Sequence, residues 1–330
     1  MSMNIGRHLT RRSLLGTLPL LAAGTPALGL ARAARPTTRL VVPYPPGGTV
    51  DATARLLAPR AGETLAQTWV IENRAGANGA IGAEAVVRAP PDGTTLLYSN
   101  EVLLMLKHVQ RNLLFDAARD LRPLVRTAIV PQILVGSPRH LAQEELHALL
   151  DAITREPTRF SFATPTLGSL GQLGAAALGQ AMGVEMLVVA YRGTGPAVQD
   201  LLAGNVSLMI APAGGVVPLI HDGQLRAYAV CSPDRIPALP EVPTLAEAGF
   251  HDLVFESWTG VWSPRGLPDG TAARVQAAIA AAVAEPGTAD RIRELGCTPV
   301  REPPDQMAEV ITAEEQRNLR LVQLASITPE

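Results

Sequence analysis

The chain has 330 residues, 47% of them hydrophobic and 18% charged, with a formal net charge of -2. That is an ordinary globular composition on a chain long enough for two domains, each with its own core. The charge balance argues against a basic nucleic-acid-binding face, and the only cysteines, Cys231 and Cys297, are spaced too widely for a zinc ribbon.

Residues 1–33 carry Arg7, Arg11, Arg12 and Arg32 without an acid, and the apolar run from Leu14 to Leu30 is broken by Gly16, Pro19, Gly24, Pro26 and Gly29. With Ala31-Arg32-Ala33 as a cleavage site, this layout predicts an export signal, not a membrane span. Thr10-Arg11-Arg12-Ser13-Leu14-Leu15 also resembles the twin-arginine motif. Cleavage near Ala33 removes four of the 28 basic residues and none of the 30 acids, leaving 24 against 30, a net charge of -6.

Short apolar runs then alternate with helical runs: 39–42 before 51–65, 69–71 before 79–88, and 94–98 before 101–109. Such alternation predicts βαβ units and a mostly parallel sheet, with ligands beyond the carboxyl ends of the strands. Two glycine-rich turns fall at that end, Pro43-Tyr44-Pro45-Pro46-Gly47-Gly48-Thr49-Val50-Asp51 and 72–82, the latter containing Gly76-Ala77-Asn78-Gly79. Each opens a helix and is expected to present free backbone N–H groups, and two such turns can grip one small anion.

The middle of the chain repeats the design: a strand at 159–163, a helix at 169–182, strands at 186–189, 206–210 and 225–230, and a helix at 196–203. Residues 135–141 and 261–267 share the pattern V-x-S-P-R-x-L, a strand ending in Ser-Pro before a helix. Paired crossover strands at these places predict a discontinuous first domain, 34–128 plus 256–330, around a second domain at 129–255.

Catalytic signatures are sparse. The single lysine, Lys107, lies in a helical run, there is no phosphate-loop lysine motif, and the histidines show no metal-ligand spacing. Cys231 and Cys297 are expected to be buried apolar side chains. Ser169 in Thr164-Pro165-Thr166-Leu167-Gly168-Ser169 lacks the glycine that a nucleophile elbow needs two residues earlier, and it fits a helix cap or a hydroxyl donor to a ligand. Thr49 is the expected donor in the first turn. Asp51 organises that turn or partners a ligand ammonium or hydroxyl. Arg192, after Tyr191, suits a carboxylate or a surface ion pair. Trp262 is expected in the core, with Trp258 a possible wall of the cleft.

These segments resemble the Bug-type (TctC-like) periplasmic solute-binding receptors of tripartite tricarboxylate transporters. The resemblance rests on V-P-Y-P-P-G-G-T-V-D at 42–51, V-I-E-N-R-A-G-A-N-G-A-I-G-A-E at 70–84 and P-P-D-G-T-T-L-L at 90–97. It continues through Y-R-G-T-G-P-A at 191–197, L-L-A-G-N-V-S-L-M at 201–209, L-P-E-V-P-T-L-A-E-A-G at 239–249 and W-T-G-V-W-S-P at 258–264. It implies an α/β type II periplasmic binding protein fold of two domains, each a mostly parallel sheet flanked by helices, joined by two crossover strands. It also implies a small carboxylate ligand held by the two N-terminal turns, partly through water, and delivery to membrane permease subunits.

The chain departs from the family pattern at Gln172 (usually His), Ala190 (usually Pro) and Ala211 (often acidic). If position 211 lines the cleft, loss of its acid disfavours a ligand ammonium and favours a plain dicarboxylate or an aromatic carboxylate. The expectation is therefore a monomeric periplasmic receptor that closes by hinge motion. It is expected to have no catalytic residue, metal or cofactor and no nucleic-acid partner. The expected ligand contacts are Tyr44, Gly47, Gly48, Thr49, Asp51, Ala77, Asn78, Ser99 and Asn100 from one side, with Thr164, Ser169, Tyr191 and Arg192 from the other. An exported serine hydrolase using Ser169 and a ligand-sensing subunit of a signalling partner are the alternatives.

Overall fold

The protein is described from a computed structural model that covers residues 35–324. The expected export signal at 1–33 lies outside the described residues. The chain opens with β1 (Thr37–Val42), α1 (Thr49–Leu65), β2 (Thr68–Asn73), α2 (Ala80–Val87), β3 (Thr95–Asn100) and α3 (Val102–Val109). A short α4 (Ala117–Asp120) leads into the long β4 (Leu121–Gly136), followed by α5 (Leu146–Arg155), β5 (Ser161–Thr164), α6 (Leu170–Met182) and β6 (Leu187–Ala190). Next come α7 (Thr194–Ala203), β7 (Leu208–Pro212), α8 (Val217–His221) and β8 (Arg226–Val230). The chain returns through β9 (Glu256–Pro264), α9 (Asp269–Ala284), α10 (Pro286–Glu294), β10 (Thr298–Glu302) and α11 (Pro304–Leu324).

Successive strand side chains point to opposite faces, so a sheet covered on both sides needs continuous apolar strands. In β1, Leu40 and Val42 pack with Leu57 of α1 and Ile279 of α9, whereas Val41 faces Val86 of α2 and Leu103 of α3. Burial of α9 against α1 brings the C-terminal part of the chain back onto the N-terminal strands.

The strand order is β2-β1-β3-β9-β4-β7-β5-β6, with β8 and β10 also on β4. The expected parallel pairing holds on the flanks, where β1 pairs with β2 and β3, and β5 with β6 and β7. The centre differs. There β9 is antiparallel to β3 and β4, and β4 is antiparallel to β7 and β8. The reason is that β4 and β9 carry the chain across the molecule in opposite directions. Residues 121–131 of β4 pair with β9, and residues 132–136 pair with β7. The two V-x-S-P-R-x-L segments therefore end their strands at opposite ends of the ladder.

Trp258 and Trp262 are each 1% exposed and stack at 5.5 Å between centroids. Trp258 is thus a core residue instead of a cleft wall; only its neighbours in β9, Ser257 and Thr259, reach the cavity described below. Cys231 and Cys297 are buried and unpaired, and burial pushes both thiols up to about 12.

Candidate functional site

Three helix starts converge on one cavity. Gly48, Thr49 and Val50 at the start of α1, Ser169, Leu170 and Gly171 at the start of α6, and Gly193 and Thr194 at the start of α7 all line it. The first backbone N–H groups of a helix have no intrahelical acceptor, and the helix dipole adds partial positive charge there. Gly48 and Gly193, the caps of α1 and α7, supply no side-chain cap. The lining includes Asp51 and Glu101 but, among the described residues, no lysine, arginine or histidine.

Local geometry explains the first turn. Asp51, 4% exposed, accepts Gly47 N–H at 3.1 Å and Arg55 Nε–H at 3.0 Å on Oδ2, and Arg55 Nη2–H at 2.8 Å and Asn73 Nδ2–H at 2.9 Å on Oδ1. Burial opposes its ionisation, but these bonds from Arg55, Asn73 and Gly47 prevail and hold its carboxyl below the usual range. Asp51 is therefore committed to shaping the turn. Tyr44 donates its hydroxyl to Asn100 Oδ1 at 2.7 Å, which ties the turn to the end of β3, and burial of the phenol raises its pKa. The hydroxyl of Thr49 is buried without a hydrogen-bond partner. Such a group is costly unless a ligand pairs it.

The opposite wall approaches closely. Gly193 has φ +130°, and a Cβ there would sit 3.0 Å from Pro45; one at Gly214 would sit 2.8 Å from Thr49 Cγ2. Only glycine allows these two contacts. Ser169 caps α6 through Gln172 N–H at 3.4 Å and lies 2.7 Å from Thr164 Oγ1. Because the Thr164 hydroxyl bonds Thr166 O at 3.1 Å, the Ser169 proton is directed to Thr164. No imidazole accompanies it among the described lining residues.

Of the residues expected from sequence, Tyr44, Gly48, Thr49, Asp51, Asn100 and Ser169 line this cavity. Ser99 and Thr164 are fully buried and do not line it, though they contact the lining residues Tyr44 and Ser169, and Gly47 reaches it only through Asp51. Ala77, Asn78, Tyr191 and Arg192 line an adjoining, larger cavity that shares Tyr44, Pro45 and Thr166 with the first. The two glycine turns thus sit in neighbouring compartments. Ala77 and Asn78 both have positive φ, 47° and 52°, and the Tyr191 hydroxyl is spent on Asp200 Oδ2 at 2.7 Å. Sequence reasoning missed Glu101, Gln132, Thr194 and Ser257. Glu101 had a visible signal, an acid inside the apolar stretch 95–106 directly after Asn100.

The model of the tripartite tricarboxylate transporter family receptor, TctC, matches residues 53–327. The chain belongs to this family. A Pseudomonas sp. (strain P51) relative, the UPF0065 protein in the tcbD-tcbE intergenic region, is 38% identical over 97% of this chain and 94% of its own. Among solved structures, the periplasmic binding protein BugD has TM-score 0.84 at 28% identity, covering 89% of this chain and 99% of its own. R. palustris Rpa4515 with adipate has TM-score 0.84 at 32% identity, covering 89% and 98%. This TctC-family receptor thus has the two-domain fold of periplasmic binding proteins.

Its three departures from the family pattern occupy different environments. Gln172 turns back to accept Gly168 N–H at 2.8 Å, and Ala190 lines the larger cavity. Ala211 is fully buried in a core with Ile133 and Val230 and lines neither cavity. Position 211 therefore does not bear on whether the ligand carries an ammonium.

Proposed function

We propose that this protein is a periplasmic receptor that captures a small carboxylate between two hinged domains and delivers it to the membrane subunits of a tripartite transporter. The observation that carries the reading is the convergence of three helix N-termini on a cavity without a basic side chain. Backbone N–H groups and helix dipoles are sufficient to bind an anion there. The domains are 34–128 plus 256–330 and 129–255, with the crossing strands β4 and β9 as the hinge. Likeness to periplasmic BugD and to the adipate-bound R. palustris protein supports both the compartment and the ligand class. Domain closure would bring Thr49 and the start of α7 onto one ligand, in a receptor that acts as a monomer.

A thermal-shift screen on protein refolded to remove resident ligand tests binding, using dicarboxylates, tricarboxylates, aromatic acids and amino acids. A ligand at 100 times its Kd adds about 2.7 kcal/mol of stability. Stabilisation by non-anionic compounds alone would refute the carboxylate reading. Delivery is tested by uptake of the identified ligand in cells lacking the receptor: uptake should fall and return on complementation, and undiminished uptake would sink the transport role.

A further inference from the structure

We propose that Glu101 is a specificity-determining residue of the small cavity, selecting carboxylates whose carbon chain also bears a hydrogen-bond donor, an ammonium or a hydroxyl. The proposal rests on the carboxylate reading above and narrows its ligand class.

Glu101 stands between β3 and α3, 3% exposed, and lines the cavity beside Ser257 and Gln132. Its Oε2 accepts the Ser257 hydroxyl and, at 3.5 Å, Trp258 N–H. Both donors come from β9 and fix the carboxyl from one side. The other acid of the cavity, Asp51, has its oxygens occupied by Arg55, Asn73 and Gly47. Glu101 is therefore the acid left to interact with a ligand.

No cation compensates it within the lining. Charged groups around Trp258, whose backbone N–H reaches Glu101, are engaged elsewhere: Glu314 of α11 accepts Trp258 Nε1–H at 2.7 Å, and Arg126 of β4 pairs with Glu302 at 3.2 Å while lying 6.0 Å from the Trp258 ring. Burial, reinforced by the Glu314 charge, raises the Glu101 carboxyl to about 7. A buried carboxylate is strongly stabilised by a charged or polar donor. The cavity is thus bipolar, with helix N-termini for a ligand carboxylate and Glu101 for a donor. Once ionised, Glu101 would repel a second carboxylate pointing at it.

The test is calorimetric binding to the full chain, with succinate, malate and aspartate as one series of nearly equal size carrying hydrogen, hydroxyl and ammonium. Adipate with 2-aminoadipate and benzoate with hydroxybenzoates extend it to other shapes. For each carboxylate skeleton that binds, the donor-bearing member should bind at least about tenfold more tightly, a charge-assisted hydrogen bond contributing that much or more. Glu101→Gln should shrink the ratio to about threefold or less. Equal or tighter binding of the unsubstituted acid by the wild type, or an unchanged ratio in Glu101→Gln, overturns the proposal while leaving the carboxylate reading intact. Binding of no carboxylate at all overturns both. Should Glu101→Gln fail to fold, the wild-type ratio decides alone.

Discussion

Asn73 donates its Nδ2–H to Asp51 Oδ1 at 2.9 Å, and the same amide reaches Tyr44 O at 3.1 Å. The last residue of β2, within the second glycine-rich segment, thereby fastens the first turn. Asp51→Ala removes the acceptor for four hydrogen bonds, three of them from Asn73 and Arg55. A loss of about 2–3 kcal/mol in chemical denaturation is expected, with weaker ligand binding. A change below about 0.5 kcal/mol would show that the turn holds its shape without the carboxylate.

Thr49→Val separates binding from folding. Because the hydroxyl has no partner in the protein, the ligand-free variant should be as stable as the wild type or more so by about 1 kcal/mol. Carboxylate affinity should fall about tenfold, the effect of one lost hydrogen bond, and Thr49→Ser should retain it. Titration calorimetry and thermal melts check the two halves. Unchanged affinity in Thr49→Val removes the residue from the site.

Glu101 and Asp51 impose opposite pH dependences. Burial first, then the Glu314 charge, raise Glu101 from 4.5 to about 7 in the fold, so between these values the folded state holds more protons than the unfolded. The stability contribution is full below pH 4.5 and is lost as pH rises to about 7, by about 3 kcal/mol. Denaturation midpoints of Glu101→Gln should lack this decline; an identical slope refutes it. Asp51, held below its usual range, contributes stability at neutral pH that disappears as pH falls through its folded value. Its acid limb should be missing from Asp51→Ala.

Gly193→Ala should impair closure on the ligand. The position has φ +130° and the new Cβ would press on Pro45 at 3.0 Å. A stability loss of about 1–3 kcal/mol and at least tenfold weaker binding are expected. Wild-type affinity in this variant would mean that Pro45 and Gly193 separate freely in the bound protein.

Neither cysteine should react with a thiol reagent under native conditions. Burial raises both thiols to about 12, leaving almost no thiolate at neutral pH. Mass spectrometry should find Cys231 and Cys297 unmodified until denaturant is added; rapid alkylation of either in native protein would contradict its burial.

Local signals made much of the fold legible. Apolar runs of strand length between glycine and helical segments located β1 to β3 and β5 to β8, because hydrophobic periodicity and turn chemistry act over a few residues. The same reasoning placed Tyr44, Thr49, Asp51 and Ser169 near strand ends, where helix starts expose N–H groups. It could not say whether Trp258 or position 211 faces the cleft. Side-chain burial there depends on β9 and β7 pairing with distant β4, and no local pattern encodes which face of a central strand meets a cavity.

What the sequence determined by itself is the chemistry available: two glycine turns, helix starts with unpaired backbone donors, and a family pattern spanning nearly the whole chain. Tertiary structure decided how that chemistry is divided. Crossing of β4 and β9 puts the first turn against the starts of α6 and α7, leaves the second turn with Arg192 next door, and turns Glu101 into a buried acid of the cavity. Those relationships join residues far apart in the chain, and long-range packing, not local propensity, sets the desolvation that gives Glu101 its character.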